Sequence, residues 1–336
     1  MKRPSLVSTG TGIALILLVA VSTVTLAAEK MPADKAGEIG TPTGRIAFIR
    51  EGNVWVMEAN GNNQQMISET SNAAGRLSWS PDNKEIAFTR TGNVQVQLPS
   101  QGGGYHRLND LYLLFMDSAY ANNVTFWYSL TGDMGSRGPE YSSDGKSLLF
   151  WKDINADLIS AAEPDYRMCT MDTRGGNVKF LRDDRPGTDS FLVSPSMNAN
   201  GDLACAALFD KKMKGLVILT KDQINMPMDS VAKVAVKKIE CVSPVWSPDG
   251  KWLAYILNKL EGGGLYVATA DLKEEYLVFE PTAGTNLYTV APSFSPDSKW
   301  LTFSTNDGSI WICDIAGKAA QRLTGPGGDQ FSAWSR

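Results

Sequence analysis

The stretch "SPVWSPDGKWLAYILNK" at residues 243–259 returns as "APSFSPDSKWLTFSTND" at residues 291–307. Self-similarity constrains a fold more than any local propensity, because each unit must be one supersecondary piece that buries its apolar surface against its neighbours. More degenerate copies are "RLSWSPDNKEIAF" from Arg76, "GPEYSSDGKSLLF" from Gly138, "SPSMNANGDLACA" from Ser194 and a shortened "FSAWSR" ending at Arg336. Aligned on the large apolar residue, the marks are Trp79, Tyr141, Met197, Trp246, Phe294 and Trp334, at intervals that shrink from 62 to 40 residues. The unit is therefore one of about forty residues, the size of a propeller blade, with insertions toward the N-terminal end.

Each unit has the same internal order. The aromatic mark is followed by a tight turn and then by an alternating run such as "EIAFTR", "SLLFWK", "WLAYIL" or "WLTFST". A third run ("NVWVME", "YRMCTMD", "GLYVATA", "SIWICDI") and a fourth ("QQMIS", "YHRLN", "VKFLR", "AQRLT") complete it. Period-two alternation rich in Val, Ile, Tyr, Phe and Trp specifies strands, and no long stretch has helical period. Four antiparallel strands per unit make a blade.

The phrase "SPDG" is turn chemistry. Pro presets φ, Ser and Asp hydrogen-bond the local backbone, and Gly accepts the left-handed conformation that closes the hairpin. The run "RIAFIR" that ends at Arg50 reads as a second strand with no first strand ahead of it, and "FSAWSR" at the other end supplies that strand. Five complete units and one shared between the termini predict an all-β, six-bladed propeller of four-stranded antiparallel blades, closed without a long open edge.

This pattern resembles the TolB-type six-bladed propeller family, whose WD-repeat-like units carry the same phrase and a shared last blade. The resemblance covers residues 44–336 and lacks the α/β domain that precedes the propeller in the family's translocation proteins. It implies a scaffold or binding role, in a family that also includes the propeller parts of peptidases and manganese-dependent lyases.

Residues 1–28 carry Lys2 and Arg3, then the apolar run "IALILLVAV", then small residues ending at Ala27 and Ala28, the layout of a secretory signal. An uncleaved N-terminal anchor is the alternative. Residues 29–43, "EKMPADKAGEIGTPT", read as a linker, leaving 44–336 as the propeller domain. We expect a periplasmic or secreted monomer. Without Lys2 and Arg3 the chain has 30 basic and 36 acidic residues, so nothing in its charge favours nucleic acid or an anionic membrane surface beyond the signal. Cys169, Cys205, Cys241 and Cys313 fall mostly in apolar strand runs and read as buried thiols, with a disulfide as the alternative in an oxidising compartment.

The inventory for chemistry is thin. His106 is the single histidine, and aligning "YHRLND" with "AQRLTG" puts it on an outer fourth strand, away from any central site. That argues against a serine triad and against the several histidines of the manganese lyases. No metal or other cofactor is expected. The Gly-rich pieces "QGGGY", "EGGGL" and "GPGGD" lie between strands and read as hairpin loops, not phosphate cradles. We therefore expect a non-enzymatic scaffold that engages an envelope protein or glycan; the alternative is a carbohydrate-active hydrolase or lyase using channel carboxylates such as Glu140 and Asp189.

Turns after strands one and three emerge on one face, and connections after strands two and four on the other. Long interruptions at 110–136, 153–165 and 182–189 read as following strands two or four, while 221–230 follows strand three. The long-loop face is the expected binding face. Arg76, Arg137, Glu140, Asp189, Tyr288 and Asp329 should ring the channel mouth there, with Phe126, Trp127 and Tyr128 either contacting the partner or packing under their own loop.

Overall fold

The computed structural model describes residues 30–98, 102–125, 136–153, 166–182, 191–209, 212–234, 236–237, 241–257, 263–282, 284–287 and 291–336. They form six four-stranded antiparallel sheets arranged as the blades of a propeller. The first blade is β4 (Ala73–Trp79), β5 (Glu85–Leu98), β6 (Gly102–Phe115) and β7 (Ala121–Asn123). The second is β8 (Ser136–Tyr141), β9 (Ser147–Asp153), β10 (Tyr166–Asp172) and β11 (Lys179–Phe180). The third is β12 (Phe191–Met197), β13 (Leu203–Phe209), β14 (Lys212–Leu219) and β15 (Val236–Lys237). The fourth is β16 (Cys241–Trp246), β17 (Trp252–Leu257), β18 (Gly264–Thr269) and β19 (Glu275–Phe279), and the fifth is β20 (Ser293–Phe294), β21 (Trp300–Thr305), β22 (Ser309–Asp314) and β23 (Ala320–Arg322). The sixth takes its inner strand, β24 (Gln330–Trp334), from the end of the chain and β1 (Arg45–Arg50), β2 (Asn53–Glu58) and β3 (Gln65–Ser68) from the beginning. Ile46 pairs with Trp334 and Ala47 with Ala333, as the shared-blade reading requires.

The core lies between blades. Alternate residues of a strand point to opposite faces, and here both faces are covered by a neighbour, so β21 is buried at every position. One cluster joins Ala47, Ile49 and Val56 of the sixth blade to Trp79, Ile86 and Phe88 of the first. Another joins Leu113 of the first to Tyr141, Leu148 and Phe150 of the second, and equivalent clusters fill the remaining junctions. The marks Trp79, Trp246, Phe294 and Trp334 are all buried in this way. So are the four cysteines, none of which is joined in a disulfide.

The "SPDG" turns perform as their chemistry dictates. Ser80, Ser142, Ser247 and Ser295 donate to the aspartate two residues on at 2.6–2.7 Å, and their hydroxyls accept the N–H that opens the second strand. Asn83, Gly145, Gly250 and Ser298 take the left-handed conformation, with φ of 58°, 69°, 70° and 59°.

Two sequence readings are corrected. "YHRLN" is not a fourth strand: β5 and β6 run as one 14-residue hairpin, with Gly92 paired to Leu108 and Val94 to His106, and the fourth strand is β7. The insertion of this blade therefore sits between strands two and three, and residues 110–115, taken as loop, include buried Leu111, Leu113 and Leu114. Alignment misled because β7 is only three residues long and lacks the apolar alternation that marked the other fourth strands. The stretch read as a linker packs on the propeller: Met31 and Ala36 are buried among residues of the fourth and fifth blades, and Trp300 and Trp334 donate their indole N–H groups to the carbonyls of Gly40 and Thr43 at 3.2 and 2.8 Å. Residues 1–28 lie outside the described residues.

Candidate functional site

The first strands line the central channel, and each of β4, β8, β12, β16 and β24 is irregular there. The register against the second strand shifts by a bulge, and a residue just ahead of the mark adopts a left-handed conformation: Gly75, Gly138, Ser194, Ser243 and Phe331. Bulges bend a strand and re-aim its side chains. For Ser194, Ser243 and Phe331, with φ of 52°, 55° and 59°, this conformation is costly and persists only where surroundings enforce it. A sequence signal existed for three of these bulges in the Gly-Pro and Ser-Pro pairs two to three residues before Tyr141, Met197 and Trp246.

Behind the bulge, the residue preceding the mark links blades. The hydroxyls of Ser78, Ser196 and Ser293 accept the backbone N–H of Tyr141, Trp246 and Trp334 in the next blade at 3.0, 3.3 and 2.9 Å. The second blade carries Glu140 at this position instead. Ser196 donates to Glu140 Oε1 at 3.0 Å, and Arg76 Nη1 approaches Glu140 Oε2 to 2.9 Å while donating to the Pro195 carbonyl at 3.1 Å. The contact with Oε2 is one of charge, not an aligned hydrogen bond, and leaves that oxygen without a donor. Arg76 thus crosses from the first blade to the third through a carboxylate of the second, with both side chains largely buried.

A small cavity of about 20 Å³, room for roughly one water, lies beside this bridge, walled by Arg76 to Trp79, Val245, Trp246, Ala291 to Phe294, Ser332 to Trp334 and Arg336. Arg336, an exposed residue, is among the residues that line this cavity.

Of the residues expected at the channel mouth, Arg76 and Glu140 are brought together as described. Asp329 is buried and holds Arg50 through two hydrogen bonds, and Arg137 is exposed on β8 opposite Trp151. Asp189, Tyr288, Phe126, Trp127 and Tyr128 lie outside the described residues. Arg336 and Ser196 were not singled out, because nothing local marks a residue whose neighbours come from other blades. Among the described residues no group of three His, Cys, Asp or Glu side chains could hold a metal ion, and no helix is long and apolar enough to cross a membrane.

No family model and no curated protein matches the chain. Solved structures do. TolB from Acinetobacter baumannii superposes with a TM-score of 0.62 at 18% identity, over 90% of this chain and 69% of that one. A putative TolB from Agrobacterium tumefaciens gives 0.57 at 13% identity, over 88% and 92%. An oligogalacturonate lyase in complex with manganese gives 0.50 at 14% identity, over 80% and 70%. At such identities the likeness is one of fold, and it agrees with the TolB-type resemblance read from the repeats.

Proposed function

We propose that this chain is an exported, non-enzymatic binding or scaffold propeller that engages an envelope protein or glycan through the face of its long connections and the channel mouth beside it. The observation that carries the reading is the asymmetry of the two faces. The turns after the first strands are short, repeated and internally hydrogen-bonded, whereas the β5–β6 hairpin extends from the opposite face with seven residue pairs beyond Thr91 and Asn109. A rigid ring with one elaborated face is how binding surfaces are commonly presented. The leader-like residues 1–28 support export.

The carboxylates also favour binding over catalysis. Acid–base work needs a group free to exchange its proton with a substrate. Glu140 is instead set against Arg76 and Ser196, and Asp329 against Arg50. Arg137, Asp189, Tyr288 and residues 126–128 belong to the same proposed surface.

The test replaces residues 92–108 with an Asn-Gly turn, which suits a two-residue hairpin. Recovery of cross-linked envelope proteins and of glycans is then compared with the parent protein. The reading expects loss of a partner that the parent retains; equal recovery would move the surface elsewhere. Glycan turnover that disappears in Glu140→Gln would replace the scaffold by the hydrolase or lyase alternative.

A further inference from the structure

The connection between β14 and β15 follows a third strand and lies off the binding face proposed above. It packs on the cluster that joins Leu149 and Met168 of the second blade to Leu203 and Cys205 of the third, with Ile224 and Val231 buried and Met226 and Met228 half-buried. Arg182 of the second blade fastens it. This residue, two positions past β11 and 4% exposed, donates through Nη1 to the Ile224 carbonyl and through Nη2 to the Met226 carbonyl at 2.8 Å and to Met228 Sδ at 3.6 Å. Two of the three acceptors are peptide oxygens. The third is a thioether, which accepts only weakly, although a buried cation calls for strong acceptors. Met228 opens the single helical turn Met228–Val231, and its carbonyl accepts the Ala232 N–H at 3.0 Å. Its backbone is therefore held, while a side chain with three rotatable bonds can adapt.

We infer that Met228 is a site of oxidation to methionine sulfoxide, whose oxygen takes over the hydrogen bond from Arg182 and fastens the connection more firmly. The oxidant is a peroxide or a hypohalous acid. With hydrogen peroxide, a lone pair of Sδ forms the S–O bond as the O–O bond breaks. Sulfur loses two electrons, the peroxide is reduced, and the departing hydroxide takes the proton of the transferred oxygen and leaves as water. The new oxygen carries negative charge, which a neighbouring guanidinium stabilises through a charge-assisted hydrogen bond. Sulfoxide formation ordinarily disrupts a core, because it turns an apolar side chain polar. At Met228 the polar oxygen forms beside a buried donor that until then had only sulfur to meet, so the sign is reversed. Met226, two residues away, supplies the contrast: it gives Arg182 its carbonyl oxygen rather than its sulfur, and oxidation there brings the ordinary loss. The inference does not depend on the function proposed above.

The experiment treats the full chain with limiting hydrogen peroxide and reads the order of oxidation by peptide mass spectrometry. Met66, 41% exposed, sets the rate of an open thioether, and Met57 and Met171, each 1% exposed, that of a buried one. Met228 should oxidise roughly tenfold or more faster than Met57 and Met171. A second measurement needs no oxidant, because glutamine carries its amide oxygen on the atom that replaces Sδ, where the sulfoxide oxygen would be. Met228→Gln should melt at or above Met228→Leu, whereas Met226→Gln should melt below Met226→Leu, as a polar group placed in an apolar cluster without a partner does. In an Arg182→Leu background the order at residue 228 should reverse; if that background does not fold, the two methionine pairs decide alone. The site is overturned if Met228 oxidises no faster than Met57 and Met171, if Met228→Gln melts below Met228→Leu, or if glutamine keeps its advantage in a folded Arg182→Leu protein.

Discussion

Arg50 and Asp329 lie 279 positions apart in sequence and are joined by two parallel hydrogen bonds, Nε to Oδ1 at 2.6 Å and Nη2 to Oδ2 at 2.7 Å. Arg50 ends β1 and Asp329 directly precedes β24, so the pair clasps the two strands that close the ring. Asp329 is 4% exposed and Arg50 27%. Beside it, Asp329 donates its N–H to Gly308, where a Cβ would come within 2.1 Å of the Gly328 nitrogen.

Removing one partner of such a pair leaves the other desolvated. Arg50→Ala should cost roughly 2–4 kcal/mol, below the full penalty for a buried pair because Arg50 is partly hydrated. The double variant Arg50→Ala/Asp329→Ala should recover part of that loss in urea melts. Additive losses would show that the clasp contributes no coupling.

Deleting residues 329–336 removes β24 and its burial of Ala333 and Trp334. The ring would then end in the unpaired edge of β1, and stability should fall by several kcal/mol on burial grounds alone. Calorimetry should show a much lower melting temperature. A truncated chain that melts like the parent would contradict closure by the shared blade.

Two tryptophans in equivalent positions should respond differently. Trp79 donates its indole N–H to the Ala333 carbonyl at 3.1 Å, while that of Trp246 is unpaired. Trp246→Ala should cost about 3–5 kcal/mol, as truncation of a buried aromatic does. Phenylalanine removes the N–H while keeping a ring, so Trp79→Phe should cost about 1 kcal/mol more than Trp246→Phe. Denaturant midpoints of the two variants decide this, and the reverse order would assign the Trp246 N–H a partner.

The turn carboxylates make stability fall in acid. Asp82 and Asp144 are held below the usual carboxylate range, first by the hydroxyls of Ser80 and Ser142 and then by the N–H groups of Lys84 and Lys146. Asp271 is pushed down to about 2 by Lys273 first and Thr269 next. A depressed folded-state pKa contributes stability above the unfolded value, near 4, that is lost as pH falls through the folded value. Melting temperatures should therefore drop between pH ~4 and ~2, modestly for each turn because these groups are exposed. Asp82→Asn/Asp144→Asn should be less stable at neutral pH and show a shallower slope; an unchanged slope would remove the turns as the cause.

Shortening the β5–β6 hairpin at 92–108 should leave the propeller intact. β4 pairs with β5 only as far as Arg90, and β7 pairs with β6 at residues 112–114. Loop length alone changes closure entropy slowly, so stability should move by less than about 1 kcal/mol. A large loss would mean that the hairpin packs on the ring.

The sequence by itself determined the number of blades, the four-strand order within them, the turn after each first strand and the strand that closes the ring. These follow from local pattern: period-two alternation, turn residues whose backbone demands are their own, and marks such as Trp79, Trp246 and Trp334 that must be buried wherever the unit recurs. It misplaced the fourth strand of the first blade, because β7 has three residues and its assignment rests on pairing with β6. The channel was decided only by tertiary structure. Glu140 could be named as a candidate from its place near a mark, but its closure by Arg76, Ser196 and Pro195 brings together residues of three blades. No local spacing encodes such a meeting. It arises when six separately patterned units close into one ring and the inner strands, bent by their bulges, face a common axis.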